Sequence, residues 1–381
     1  MITVFTPIYN RAYVIESLYL SLLRQTSHNF EWIILDDGST DNIAELVNQW
    51  NCKLNPFPIK FIQQKNGGKH RAINRGVKEA RGDAFFIVDS DDYLTNNAIQ
   101  AVENWWNNIA EDDDFAGVSG VRAQNNRGAS EKQTVSDKYI DATNLERMKY
   151  DLCGDKAEVY KTAILKQYPF PEFDNENFIT EAVVWDKIAK DGYKIRWYNQ
   201  VIYICEYKED GLTRNIEKKL SENPKGWGLY ISQSRLFGKN NREQDYFAKL
   251  NYYGWLHMKL TDEEIMSNLN ISITELEQIK NYIKNTIDYI GKNIAVYGLG
   301  KRGETLLRLY QGTQVTVKYV LDINKRIQDY IQLDIDEKLP DVDAIIVTPK
   351  LQQNEIIEKL KKKTSNLLLG YEEWEAAVLR P

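Results

Sequence analysis

The stretch that decides the fold is Phe85-Phe86-Ile87-Val88-Asp89-Ser90-Asp91-Asp92. Its four apolar residues indicate a short, buried parallel strand. The three carboxylates that follow would repel one another near a core unless a cation lies between them. Two interpretations stay open from these residues alone. One is a solvated acidic turn, because Asp is common in turns, and the other is a site for Mg²⁺ or Mn²⁺ that also holds a diphosphate.

Length and composition narrow the class of protein. The chain has 381 residues, which predicts about two or three domains. Its net charge of −6 argues against nucleic acid as a partner, because nucleic-acid binders usually carry a basic face. Three widely separated cysteines predict reduced thiols, as in a cytoplasmic protein. No signal peptide or membrane-spanning segment is expected, whereas peripheral contact at the inner face of a membrane stays compatible with the sequence.

Strands and helices alternate through the first hundred residues. Apolar runs at 2–5, 32–35 and 59–62 precede the strand at 85–88, and helical patterns lie between them. This alternation predicts an α/β fold with a parallel, doubly wound sheet, and Asn10 is a plausible cap for the first helix. Ligands of such sheets bind beyond the carboxyl ends of the strands. The polar clusters at 36–37, 67–71 and 89–92 are all expected at that edge, so they should converge.

Four motifs together carry a family resemblance. The segments 6–11, 36–41, 66–74 and 89–92, in this order and at these spacings, resemble family 2 glycosyltransferases over roughly residues 1–215. The resemblance implies the GT-A fold and inverting transfer of a sugar from a nucleotide-sugar donor.

Roles at single positions follow from the resemblance. Thr6, Pro7 and Tyr9 would wall the nucleotide base, Asp36 would hold that base (uracil in a UDP-sugar), and Asp89 would meet ribose or metal. Further implied contacts to the sugar donor are Asp37, Ser90, Lys69 and Arg71. Mn²⁺ or Mg²⁺ would be bound by Asp91, Asp89 and Asp92. Local capping by Asp37 and a plain surface position for Lys69 are the alternatives.

Glu181 is the candidate catalytic base. The family places an acidic residue, often in a Glu-Asp pair, just before a helix that contains Trp. Here the pair is Glu181-Ala182, which leaves Glu181 as the candidate and Asp186 and Glu176 as alternatives. A glutamate that stabilises the helix dipole is the competing interpretation. A base would take the proton of the acceptor hydroxyl, and one base without a covalent intermediate implies inversion.

Three more segments are predicted after residue 205. Residues 206–214 resemble a flap over the site, with Arg214 weighed as a phosphate contact against an ordinary loop. Helical patterns fill 216–290, and 291–381 indicates a small Rossmann-like domain. In that domain Gly298-Leu299-Gly300-Lys301-Arg302-Gly303 lies between a strand and a helix, and Asp322 ends the next strand.

These observations lead to one expected function and one alternative. We expect a metal-dependent inverting transferase with a GT-A domain at 1–215, a helical linker at 216–290 and a Rossmann-like domain at 291–381. Its sugar donor would be a UDP-sugar, and its acceptor a hydroxyl of a glycan or lipid-linked glycan in bacterial surface polysaccharide synthesis. The alternative is an NAD(P)-dependent oxidoreductase or a nucleotide-binding regulatory module centred on 298–303. Self-association stays open.

Overall fold

The computed structural model describes residues 1–124, 139–152, 154–206, 216–322, 330–334, 339, 341–349, 351–371 and 373. Two compact units are formed, residues 1–239 and residues 240–381. The division into 1–215, 216–290 and 291–381 stays a prediction about domains. The segment predicted as a flap, including Arg214, lies outside the described residues except for Glu206.

The strands and helices of the first unit have the following bounds. The strands are β1 (Ile2–Ile8), β2 (Phe30–Asp36), β3 (Ile59–Gln63), β4 (Ala84–Ile87), β5 (Tyr93–Leu94), β6 (Phe115–Gln124), β7 (Tyr139–Ala142), β8 (Lys156–Lys161) and β9 (Lys194–Cys205). The helices are α1 (Glu16–Leu23), α2 (Ile43–Asn51), α3 (Lys69–Glu79), α4 (Ala98–Trp106), a 3-10 helix (Asn144–Tyr150), α5 (Thr162–Gln167), α6 (Ala182–Lys190), α7 (Ile216–Ser221) and α8 (Pro224–Leu236).

The sheet of the first unit is parallel in its first half and mixed in its second. Its strand order is β3-β2-β1-β4-β8-β6-β9-β5, and β7 pairs with β9. Strands β1 to β4 pair in parallel, as the alternation of strands and helices predicts. Strand β8 then joins β4 antiparallel, and β6 joins β8 antiparallel. The α/β fold class is therefore observed, with a mixed extension beyond β4.

Both faces of the sheet are covered, which explains the largely apolar strands. Val4 and Ile34 belong to one core, whereas Phe5 and Ile33 belong to the core on the opposite face. All seven residues of β2 are buried. Parallel strands buried on both sides are expected to be continuously apolar rather than alternating.

Asn10 does not cap the first helix. Helix α1 begins at Glu16, and Asn10 has a left-handed backbone with φ of 51°. Its side-chain oxygen instead accepts a hydrogen bond from the Thr40 backbone at 2.8 Å, and its own N–H donates to Ser39 Oγ at 2.8 Å. Asn tolerates the left-handed region better than most residues. It therefore joins the loops that follow β1 and β2.

The second unit contains helices α9 (Arg242–Leu256), α10 (Asp262–Leu269), α11 (Ile273–Ile290), α12 (Lys301–Tyr310) and α13 (Gln353–Lys361). Its strands are β10 (Asn293–Tyr297), β11 (Thr316–Leu321), β12 (Ile331–Leu333), β13 (Ala344–Val347) and β14 (Leu367–Gly370). They pair in parallel in the order β12-β11-β10-β13-β14. This order is that of a doubly wound sheet and agrees with a Rossmann-like arrangement.

Across the described ranges, no helix combines the length and the apolar character that a membrane crossing requires.

Candidate active site

The loops that follow β1, β2 and β4 meet at one edge of the sheet. Strand β1 lies between β2 and β4, with Ile8 beside Asp36 and Phe5 beside Ile87. Because the three strands run in parallel, their carboxyl ends share an edge. Asp36 and Asp89 therefore lie at the same edge, where the sequence predicts a ligand site.

Lys69 joins the end of β4 to the start of α6. Its Nζ lies 2.7 Å from Asp89 Oδ1 and 2.8 Å from Glu181 Oε1. Lys69 is the first residue of α3, and Glu181 directly precedes α6. The Lys69 ammonium thus holds together Asp89 of the acidic motif and the candidate base. The polar residues that were expected to converge at the edge of the sheet therefore include Glu181.

The charges of this cluster stabilise one another. Burial would lower the pKa of Lys69, but the charges of Asp89 and Glu181 outweigh it and raise that pKa above its ordinary value. Burial would raise the pKa of Asp89, but Lys69 and Arg122 outweigh it and hold that pKa below its ordinary value. An opposite charge at this range favours the ionised form of each group. Lys69 is therefore cationic and Asp89 anionic in the folded protein.

Sequence reasoning missed Arg122 and Tyr203. The Arg122 guanidinium lies 3.8 Å from Asp89 Oδ2 and stacks 4.2 Å above the Tyr203 ring. The Tyr203 hydroxyl accepts a hydrogen bond from the Asp89 backbone at 3.0 Å. Arg122 lies in β6 and Tyr203 in β9, and these two strands pair in parallel in the mixed second half of the sheet. Their place beside Asp89 depends on a strand order that local sequence patterns do not encode.

Asp91 and Asp92 have different surroundings. Asp92 is buried; its Oδ2 accepts from the Tyr203 hydroxyl at 2.7 Å, and its Oδ1 accepts from the Glu206 backbone at 2.9 Å. Burial and the Asp89 charge raise the pKa of Asp92 to about 6. Asp91 is more open, with 25% of its side chain exposed and Arg11 at 3.8 Å. Asp92 is thus bonded to protein donors, whereas Asp91 is partly open, and the predicted metal contacts of both stay predictions.

A divalent ion at this edge would need oxygen ligands. Within the described residues, no three His, Cys, Asp or Glu side chains come together as a metal site. Burial and the nearby Asp89 charge raise the pKa of Asp91, so its anion gains from an added cation. Mg²⁺ commonly takes one or two carboxylates and completes its shell with water and phosphate oxygens. Asp91 therefore fits such an ion, with Asp89 beside it.

Asp36 and Asp37 shape the loops of this edge. Asp36 is buried, and its oxygens accept from the Ser39 backbone at 2.8 Å and from Gln63 Nε2 at 3.2 Å. Asp37 accepts from the backbones of Gly67 at 2.9 Å and Gly68 at 2.7 Å. Such charge-assisted bonds are stronger than neutral ones. Asp37 therefore fixes the turn that leads into α3 and thereby places Lys69.

Arg71 stabilises the start of α3 by hydrogen bonds to backbone carbonyls. Its guanidinium donates to the backbone oxygens of Gly67 at 2.7 Å, Glu176 at 2.5 Å and Phe173 at 2.6 Å. Its Nε also lies 3.3 Å from a Glu172 carboxylate oxygen. These contacts tie α3 to the segment before Glu181. The predicted contact between Arg71 and a phosphate stays a prediction.

The residues predicted to wall the base differ in exposure. Thr6 is fully buried, and its Oγ1 accepts from the Trp32 indole at 3.0 Å, so its side chain belongs to the core. Pro7 is half-buried, Tyr9 is 49% exposed, and Ser90 is buried. Any contact of Thr6 with a base would have to use its backbone. Its core position follows the period of two along a strand, because Val4 and Ile8 share its face.

The alternative bases have structural partners instead. Asp186 is buried and accepts from Asn144 at 2.6 Å and from the Lys239 ammonium at 2.6 Å. Glu176 is buried and accepts from the backbones of Lys225 at 2.7 Å and Gly226 at 2.9 Å, at the start of α8. Glu181, by contrast, is 35% exposed. Its openness, and its position near Asp89 through Lys69, favour it as the base.

Two further titratable groups lie near the site. Burial raises the pKa of Glu158 to about 7, although Arg122 and Arg147 oppose this shift. His70 is 1% exposed, and neither ring nitrogen has a hydrogen-bond partner. Burial, and then the Arg71 charge, lower its pKa to about 4. His70 is therefore a neutral core residue.

The glycine-rich loop of the second unit has the geometry that its spacing predicts. Gly298 follows β10 with φ of 91°, and its N–H donates to the Leu321 carbonyl at 2.8 Å. The Leu299 N–H donates to an Asp322 carboxylate oxygen at 2.5 Å. A Cβ at residue 303 would lie 1.9 Å from the Gly298 oxygen, whereas one at Gly300 would meet nothing within 4 Å. Gly303 is thus required for packing, and Gly300 is open.

Known proteins are similar to the first part of the chain. Residues 3–170 match the family described as Glycosyl transferase family 2. Glycosyltransferase GlyG of Streptococcus pneumoniae serotype 4 is 37% identical over 103 residues, which cover 27% of this chain and 34% of GlyG. The poly(ribitol-phosphate) β-N-acetylglucosaminyltransferase TarS of Staphylococcus aureus strain Mu50 is 29% identical over 174 residues, 45% of this chain and 29% of TarS. The matched part thus spans about a third of each relative.

Two solved structures match this chain at a TM-score of 0.47. S. aureus TarS 1–349 in complex with UDP has a TM-score of 0.47 and 18% identity, covering 74% of this chain and 78% of that chain. The mannosyltransferase PcManGT from Pyrobaculum calidifontis, in complex with GDP-Man and Mn²⁺, has a TM-score of 0.47 and 15% identity, covering 81% and 84%.

The family match agrees with the motifs at 6–11, 36–41, 66–74 and 89–92, and with the α/β sheet that carries them. The predicted GT-A fold class of the first unit is confirmed. Residues 3–170 of this chain therefore match glycosyltransferase family 2, as the motifs predict.

Proposed function

We propose that this protein transfers a sugar from a UDP-sugar to a hydroxyl of a glycan or lipid-linked glycan, with inversion at the anomeric carbon. The observation that carries the proposal is the shared ammonium of Lys69, which brings Asp89 and Glu181 together at the ligand edge of the sheet. A sugar transferase needs its leaving-group site and its base on opposite sides of one reacting carbon, close to each other.

Glu181 accepts the proton of the acceptor hydroxyl as that oxygen attacks the anomeric carbon. The bond between that carbon and the diphosphate breaks, and the diphosphate leaves with the electron pair. A positioned carboxylate base contributes roughly 10²–10⁴-fold to such a step. Asp36 and Asp89 orient the nucleotide part of the sugar donor. A divalent ion bound at Asp91 would neutralise charge on the leaving diphosphate.

The nature of the relatives supports the choice of UDP. The name of TarS describes a transferase of N-acetylglucosamine to poly(ribitol-phosphate), and UDP-GlcNAc was bound in one TarS structure. UDP-N-acetylglucosamine is therefore the first donor to try, and a bacterial surface polymer the first class of acceptor.

A screen of UDP- and GDP-sugars tests the proposal. Each sugar nucleotide is incubated with the protein and Mn²⁺, and release of the nucleoside diphosphate is measured. One or more UDP-sugars should be turned over, and Glu181→Gln should lower turnover roughly 10²–10⁴-fold while calorimetry with UDP shows retained binding. Full turnover by that variant would remove Glu181 from the mechanism.

A second candidate function concerns the second unit. The loop at 298–303 lies between β10 and α12, and Asp322 bonds to it, which is the context of a nucleotide fingerprint. This favours a nucleotide-binding regulatory module, or an NAD(P)-dependent oxidoreductase, as the alternative. Calorimetry with NADH and with UDP separates the two functions. Binding of NADH without binding of UDP would favour the alternative.

A further inference from the structure

Lys69 occupies the centre of the candidate active site. Its side chain is 27% exposed, and its Nζ lies within hydrogen-bond distance of carboxylates from two distant segments. Asp37 and Arg71 in turn fix the turn and the helix that carry it, through bonds to Gly68 and to the Glu176 carbonyl. The ammonium is therefore held on rigid backbone.

We propose that Lys69 is a positioning residue for the base, which fixes the Glu181 carboxylate relative to Asp89. The inference rests on the proposed function and adds to it a role beyond contact with the sugar donor. Glu181 precedes α6 and has three rotatable side-chain bonds. Among the described residues, the Glu181 carboxylate forms an ion pair with Lys69, at 2.8 Å.

The physical reason is geometric. A misplacement of about 1 Å at a reacting group can cost on the order of 10²-fold in rate. An ammonium shared by two carboxylates sets how far the base lies from the group that orients the sugar donor. A second cation, Arg122, lies 3.8 Å from the other oxygen of Asp89, so Asp89 is itself held in place. Asp89 therefore acts as a fixed reference point for Lys69.

The first test compares three variants. Lys69→Met removes the ammonium but keeps most of the side-chain volume, Lys69→Arg keeps the charge, and Lys78→Met makes the same change at an exposed position of α3. For the UDP-sugar selected by the screen, Lys69→Met should lower kcat roughly 10–100-fold. Its Kd for UDP should change less than about threefold. Lys69→Arg should recover part of kcat, and Lys78→Met should match the wild type.

A double-mutant cycle separates positioning from direct contact with the sugar donor. If Lys69 acts through Glu181, the Lys69→Met change should cost little further kcat once Glu181→Gln is present. Multiplicative losses in kcat would overturn the inference. So would a loss of UDP affinity of about tenfold or more with kcat unchanged, because that pattern marks a phosphate contact.

Thermal unfolding gives a readout that does not depend on activity. Lys69→Met should lower Tm in the wild-type background, because two carboxylates lose their cation. The decrease should be smaller, by roughly 2 °C or more, in the Glu181→Gln background. Equal decreases would show that the two side chains are not coupled. An inactive wild type would refute the proposed function and this inference together, whereas an active wild type with additive effects would refute the inference alone.

Discussion

Gly68 lies so close to Asn177 that a Cβ atom at residue 68 would be 1.8 Å from the Asn177 carbonyl oxygen. This approach holds the start of α3 against the segment that leads to Glu181. Gly68 also has φ of 94°, which L side chains rarely adopt. The geometry of Lys69 and Glu181 therefore depends on a position that has no side chain.

Gly68→Ala should disturb both stability and turnover. The added Cβ must push α3 away from the segment at 177, so we expect a loss of at least about 2 kcal/mol in the free energy of unfolding. Gly192→Ala is the control, because Gly192 also has a positive φ, of 98°, but a Cβ there would meet nothing within 4 Å. Urea unfolding measures both variants, and equal losses would contradict the proposed role of the close approach.

Glu181→Gln should keep UDP affinity and lose turnover by roughly 10²–10⁴-fold. Gln preserves the size of the side chain but is not a base. Glu176→Gln is the comparison, because Glu176 accepts two backbone bonds at the start of α8 and should lose stability rather than chemistry. Calorimetry with UDP, turnover and thermal unfolding are measured for both. A folded, UDP-binding Glu176→Gln protein without turnover would move the base to Glu176.

Asp91→Asn should abolish the gain in UDP affinity that Mn²⁺ provides. For the wild-type protein we expect Mn²⁺ to tighten UDP binding about tenfold or more, and EDTA to reverse this. Asp92→Asn should instead lower stability, because Asp92 is buried and accepts from Tyr203 and Glu206. Calorimetry with and without Mn²⁺ checks both. A metal effect that survives Asp91→Asn and is lost in Asp92→Asn would reassign the ligand.

The contribution of His70 to stability should fall in mild acid. The unfolded chain takes up a proton on this imidazole near pH 6.5, whereas the folded protein does so at about pH 4. Burial and then the charge of Arg71 lower the pKa of His70, whereas the charges of Glu172 and Asp37 raise it. The contribution of His70 to the free energy of unfolding is therefore fully present above pH 6.5 and decreases as the pH falls towards 4, by roughly 3 kcal/mol.

His70→Gln should remove that dependence. The raised pKa values of Asp92 and Glu158 act in the opposite sense, since they favour the folded state as the pH falls. The measurement is therefore the difference in unfolding free energy between wild type and variant from pH 7.5 to pH 4. A constant difference over that range would show that His70 does not titrate as proposed.

Gly300 and Gly303 of the second unit should differ in their effects on stability. Gly303→Ala places a Cβ 1.9 Å from the Gly298 oxygen and should destabilise the unit by about 2 kcal/mol or more, whereas Gly300→Ala meets nothing within 4 Å and should be nearly neutral. Thermal unfolding tests this difference. If NADH or another nucleotide binds there, Gly300→Ala should weaken that binding without changing stability, because the second glycine admits the diphosphate.

The sequence predicted the parts of the site that lie at the ends of parallel strands. Asp36 and Asp89 follow β2 and β4, and parallel strands bring such residues to one edge whatever lies between them. Glu181 required the family resemblance, because a single acid before a helix has several explanations. The structure then joined Glu181 to Asp89 through Lys69.

Arg122 and Tyr203 could not be predicted in the same way. They reach Asp89 because β8 enters the sheet antiparallel beside β4, which places β6 and β9 next in order. That order is set by packing across the whole unit rather than by any local pattern. The prediction that Asn10 caps the first helix was wrong for a different reason. Its side chain and left-handed backbone form a bond between two loops, and the helix begins later in the chain.

The hydrogen-bond and ion-pair partners of Glu176 and Asp186 set a lower limit on the length of an active fragment. Glu176 accepts its bonds from residues at the start of α8, and Asp186 is neutralised by Lys239. A truncation after residue 215 would leave two buried anions without their compensation, a loss of several kcal/mol for each. A minimal fragment for crystallisation or enzyme engineering should therefore extend through Lys239.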